Sequence, residues 1–105
     1  MKAYLGQKNL LDNESMNDFC LDIKNKVEHG ELSSCFKKIY ELMADYPHSP
    51  VPHNLLGILF ELRGNHLLAM RHLRAAMALD PSYRPAILNM AEFGDSFMNK
   101  TFIYL

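Results

Sequence analysis

The sequence predicts an all-α fold, a short right-handed stack of antiparallel helix hairpins. Three observations carry this expectation. Glycines and prolines interrupt the chain at regular intervals, the residues between them repeat at a fixed offset, and no segment alternates apolar and polar side chains long enough for a strand. The punctuation recurs every 34 residues, from Gly30 to Gly64 and from Pro47 to Pro81. At the same offset Met43-Ala44 matches Met77-Ala78, Ile39 matches Leu73, Phe36 matches Met70 and Lys37 matches Arg71. A two-helix unit with that period marks a helical solenoid, in which each hairpin buries its apolar face only by stacking on the next.

Each helix has a start and a stop. The first follows the polar lead Asp12-Asn-Glu-Ser15, where Ser15 can cap and Asp18 stands three residues on, and it runs to Gly30. The second spans about Leu32 to Ala44 or Asp45, stopped by Pro47, which lacks the amide a helix interior needs. Ser49 caps the third, with Pro50 or Pro52 in its first turn and Gly64 at its end. Asn65 caps the fourth, His66–Leu79, which Asp80-Pro81 ends. The fifth begins near Pro85 and is coherent to Phe93, where Gly94 weakens it. The very short turns make neighbouring helices antiparallel.

Residues 50–83 read His53-x2-Leu56-Gly57-x2-Phe60, then Gly64, Ala69-x3-Leu73, Ala76 and Pro81. This resembles the tetratricopeptide repeat (TPR), whose signature is W-x2-L-G-x2-Y, A-x3-F and P, with His53 departing in the Trp slot. Residues 16–49 match at Phe19, Gly30, Ile39 and Pro47, and depart at Ile23, Lys26 and Cys35. A third repeat starts at Arg84 with Ile87, Met90 and Ala91 in place and Gly94 in an aromatic slot. The resemblance divides the chain into a lead (1–15), a repeat domain (16–99, with repeats 16–49, 50–83 and a partial 84–99) and an apolar tail (100–105). The slots also have a physical logic. A small residue at Gly57 facing Ala69 lets two helices approach closely, Leu56, Phe60, Leu73 and Leu79 fill the space around that contact, and Ala76 gives room to the next repeat.

Composition excludes several functions. A chain of 105 residues, 49% apolar and 22% charged, is one domain with one core and little material for a deep catalytic cavity. The net charge is −1, with six Lys/Arg against eight Asp/Glu in residues 1–49 and five against four in 50–105, so neither half is a basic arm for nucleic acid or an anionic membrane. The opening residues lack a signal-peptide core, and no apolar run approaches the roughly 18 residues that span a bilayer. Cys20 and Cys35 fall in no metal or redox spacing, which makes a reducing, cytoplasmic setting the expectation.

Chemistry has few candidates. The histidines His29, His48, His53, His66 and His72 lack the i, i+3 or i+4 spacing of ligands on one helix, and are expected at helix ends, turns and solvent-facing positions. Cys35 occupies a slot where the family places Ala, and a buried cysteine behaves as a small apolar residue. No phosphate-binding loop, G-x-S-x-G or H-E-x-x-H pattern is present, and Asp18/Asp22 and Glu92/Asp95 read as solvated helix faces. Met70, Met77 and Met90 fall at core-like helical spacing. The expectation is a protein without catalytic residues, cofactor or metal.

The TPR resemblance implies a concave groove lined by the first helix of each repeat, which binds a peptide or protein segment. In this register its lining would be Cys20, Lys24 and Val27, then Asn54, Ile58, Glu61 and Leu62, then Leu88, Glu92 and Asp95. The family's carboxylate clamp of Lys, Asn and Arg is represented by Lys24 and Asn54 nearly alone, with Glu92 and Asp95 opposing an acidic ligand, so a basic or apolar peptide fits better. The C-terminal part, with Ile87, Leu88, Met90, Phe93, Phe97 and Phe102, is a large apolar surface to leave in water. Either the tail folds back over it, or a second copy covers it in self-association through Ile87, Met90, Phe93, Phe97 and Phe102, or the chain is part of a longer array.

Overall fold

The structure, a computed structural model, describes residues 13–95 and 101–105. Among them are five helices and no strand: α1 (Asn13–Glu28), α2 (Leu32–Asp45), α3 (Val51–Leu62), α4 (His66–Leu79) and α5 (Arg84–Asp95). The ends shift slightly from the sequence reading. α1 starts at Asn13 and so takes Ser15 into its first turn, and α5 continues through Gly94 to Asp95. Phe97 lies outside the described residues.

The two glycine stops are built alike. Gly30 and Gly64 have φ of 79° and 83°, the left-handed region that a side chain disfavours. At the first, Gly30 N donates to Val27 O (3.0 Å) and Glu31 N to Lys26 O (2.9 Å); at the second, Gly64 N donates to Glu61 O (2.9 Å) and Asn65 N to Phe60 O (2.8 Å). This paired pattern satisfies the last carbonyls of a helix and reverses the chain. Asn65 then opens α4 by accepting from Leu68 N at 3.2 Å. The proline stops work differently: after Pro81, Ser82 N and Oγ both donate to Asp80 Oδ1, and Tyr83 N donates to Asp80 O.

α3 is the central element. Val51, Pro52 and Asn54 through Leu59 are all buried, the signature of a helix covered on every side. It packs most extensively on α4, has α2 and α5 as further neighbours, and meets α5 directly although a whole helix separates them in sequence. The core adds Cys20 and Ile23 from α1, Cys35, Ile39 and Leu42 from α2, Leu73 and Ala76 from α4, and Ala86 and Phe93 from α5. Burial of a Leu or Ile side chain contributes about 1.5–3 kcal/mol, and Leu55, Leu56 and Leu59 are each fully buried.

Gly57 marks the closest approach of α3 and α4. A Cβ there would stand 2.7 Å from Leu73 Cδ2 and 3.3 Å from the Ala69 carbonyl oxygen. Leu56 and Leu73 surround this contact fully buried, whereas Leu79, expected beside them, is 39% exposed on the last turn of α4. Met70, Met77 and Met90 pack half-buried against the core.

Candidate functional site

Among the described residues, the buried polar side chains are two asparagines. Asn54 stands one turn into α3 and Asn89 midway along α5; both are fully buried, and the direct packing of α3 on α5 brings them together. Asn89 Nδ2 donates to Asn54 Oδ1 at 2.8 Å. The rest of their capacity goes to one residue of the last segment. Asn54 Nδ2 and Asn89 Nδ2 both donate to Ile103 O, at 3.0 and 2.9 Å, and Ile103 N donates to Asn89 Oδ1 at 2.8 Å. One side-chain amide thus pairs with both the N–H and the C=O of a single residue, as a neighbouring strand would, which requires that residue to be extended.

The flanking contacts fix the course of the segment. Thr101 N donates to Glu92 Oε2 of α5 at 3.4 Å. Phe102 meets Phe93 edge to face, with ring centroids 5.5 Å apart and planes at 69°. Tyr104 is 7% exposed and joins the core; burial, followed by the charge of Glu28 at the end of α1 and by Cys35 in α2, pushes its phenol up to about 12. The segment therefore crosses from α5 over α3 toward the α1–α2 turn. A recess of about 410 Å³ stays open beside it, lined by Leu88, Ala91, Glu92, Thr101 and Ile103.

The residues expected to line a groove are distributed unevenly. Asn54, Leu88 and Glu92 lie at the segment or its recess. Val27 packs half-buried on the core and Ile58 is fully buried in it, while Lys24 is exposed and Leu62 is 40% exposed. Glu61 accepts from His66 Nδ1 at 2.9 Å across the α3–α4 turn. Of the residues expected in self-association, Ile87 is 37% exposed and Met90 half-buried, while Phe93 is covered by Phe102 of the same chain. The last segment folds back over part of the apolar C-terminal surface, with Phe102 on Phe93. Asn89 is the residue that sequence reasoning missed. It stands 35 residues after Asn54, one off the repeat, so the 34-residue register sets Asn54 opposite Leu88.

A second cluster lies between α3 and α4. His53 and His72 stack with Nδ1 atoms 3.0 Å apart, and His72 lies flat on Phe60, with centroids 5.5 Å apart and planes 7° from parallel. Phe60 in turn meets Phe36, over which the Arg63 guanidinium sits 4.7 Å from the ring centroid. Burial lowers the pKa of both imidazoles, and in His72 the neighbouring His53 adds to it. These two histidines are thus half-buried partners in an aromatic column, which corrects the solvent-facing placement expected from sequence. The pair lacks a third ligand: among the described residues no group of three or more His, Cys, Asp or Glu could hold a metal ion. Cys20 and Cys35 are buried free thiols; burial raises both pKa values, that of Cys20 to about 12, which suppresses the nucleophilic thiolate. Among the described residues no helix is long and apolar enough to cross a membrane.

Compared with family models, with curated proteins and with solved structures, the chain matches none of them.

Proposed function

We propose that this protein is a non-enzymatic interaction module of TPR-like architecture, a short solenoid whose groove across α1, α3 and α5 binds an extended peptide or protein segment. One observation carries the reading: two fully buried asparagines grip the backbone of Ile103 through three hydrogen bonds. A buried amide without a partner costs about 1–3 kcal/mol, so a fold retains such a pair only where something satisfies it. The architecture draws support from the repeated glycine caps, the close approach at Gly57 and the direct packing of α3 on α5, which is how first helices meet in stacked hairpins.

The test is selection from a random-peptide library on the full-length chain in which Phe102→Ser/Tyr104→Ser removes the two aromatic anchors of its own last segment. Enriched peptides are expected to lose about tenfold or more in affinity on Asn89→Ala, a typical cost of one or two lost hydrogen bonds, with helical circular dichroism unchanged. A folded chain that enriches nothing would remove the peptide-binding reading.

Self-association through α5 is the second reading, favoured by Ile87 and Leu88, which stay 37% and 41% exposed. Light scattering decides it: a dimer that Ile87→Glu dissociates supports assembly, and a monomer at high concentration rejects it.

A further inference from the structure

We propose that the partner of the groove is an extended, uncharged segment carrying an aromatic-aliphatic-aromatic triplet, and that Thr101–Leu105 is a built-in competitor for the same place. This inference rests on the peptide-binding reading and names the ligand class and the regulation of that site.

The occupant on the page defines the class. Thr-Phe-Ile-Tyr-Leu has no charged side chain. In an extended chain, residues two apart share a face, so Phe102 and Tyr104 project to one side: the first packs on Phe93, the second enters the core. The middle residue is held by its backbone and lies beside the open recess of about 410 Å³, which has room for a side chain larger than Ile. A partner with a bulkier middle residue can therefore gain contacts that the chain's own segment leaves unmade. The carboxylate of Glu92 accepts a backbone N–H from the segment and so needs no cation from the ligand.

The same geometry makes the occupant a competitor. Asn54 and Asn89 read main-chain atoms that every peptide has, so they do not distinguish the chain's own segment from another. Emptying the groove removes three hydrogen bonds and leaves Asn54 and Asn89 paired only with each other, which favours direct exchange of one extended segment for another over an open state. Residues 96–100 tether the segment to α5, and a short tether gives an effective concentration of about millimolar. A partner at lower concentration then enters only with better contacts, and the groove responds to strong ligands alone.

Fluorescence anisotropy with a labelled Lys-Thr-Phe-Ile-Tyr-Leu peptide tests this on full-length chains. The double substitution Phe102→Ser/Tyr104→Ser should bind the probe at least about tenfold tighter than the unaltered chain, and a probe N-methylated at its Ile should lose that binding. Equal affinity for both chains would show that the segment does not compete. A probe with both aromatics replaced by Ser that binds the double variant equally well would overturn the ligand class while leaving peptide binding intact. No binding of any probe to a helical double variant would remove the peptide-binding reading itself. Should the double variant lose its helical signal, Glu92→Cys/Thr101→Cys provides the same test: oxidation should pin the segment and weaken the probe at least about tenfold relative to the reduced form, and equal binding overturns the proposal. Dimers of the unaltered chain that exchange segments would also overturn it, making a second copy the occupant.

Discussion

Two positions show how much a single atom weighs between α3 and α4. At Gly57 an added methyl would gain about 1 kcal/mol of helix propensity, yet it would stand 2.7 Å from Leu73 Cδ2 and 3.3 Å from a backbone oxygen. Overpacking costs about 1–3 kcal/mol, so Gly57→Ala should be destabilising by on the order of 1 kcal/mol and Gly57→Leu by more, read from urea melts. A few ångströms away, His53 and His72 must share one proton between facing Nδ1 atoms. Their pKa values are lowered in the folded chain, so the unfolded chain takes up protons first as pH falls. The stability they contribute is complete above about pH 6.5, the ordinary histidine value, and is lost below it. The melting temperature should fall from pH 7 to pH 5, and His72→Phe should flatten that fall by removing the second imidazole.

At the scale of the element, turns and helix faces explain what could be read in advance. Gly64 has φ of 83° and nothing within 4 Å of a Cβ, so Gly64→Ala costs only the left-handed backbone, about 1–2 kcal/mol. Asn65→Ala should cost about 0.5–2 kcal/mol through the lost cap on Leu68, and the two effects are expected to be less than additive in thermal melts because they share one turn. Breakers and caps act within a few residues, which is why four of the helices were legible in the sequence to within about two residues, while α1 begins at Asn13, before the expected cap at Ser15. The candidate site was legible only in part. Asn54 stood out by its helical position, but its pairing with Asn89 depends on how α3 lies against α5, and a one-residue offset from the repeat concealed it. The histidine column escaped for a related reason: His53 and His72 are 19 residues apart, and only the hairpin stacks them.

Taken as a whole molecule, the chain is closed by its own last segment. Tyr104 carries a measurable signature of that closure, because its phenol titrates near 12 when buried and near the ordinary value of about 10 when released. A raised acidic pKa contributes stability that is complete below the unfolded value and lost as pH rises through the folded one. The segment should therefore loosen between about pH 10 and pH 12. Difference spectra of phenolate formation between the unaltered chain and Tyr104→Phe isolate this residue from the other tyrosines. Asn89→Ala should bring the transition down toward 10, since it removes the backbone grip beside Tyr104.

The asparagine grip has an evolutionary corollary. A contact made to main-chain atoms places little constraint on the codon beneath it, so the position of Ile103 is free to drift while the segment stays seated. A saturation scan there should tolerate most residues, rise for side chains bulkier than Ile that reach the recess, and fall deeply at proline, which lacks the N–H that Asn89 accepts. Lineages could then diverge in the identity of that residue and keep the same backbone pairing to Asn89.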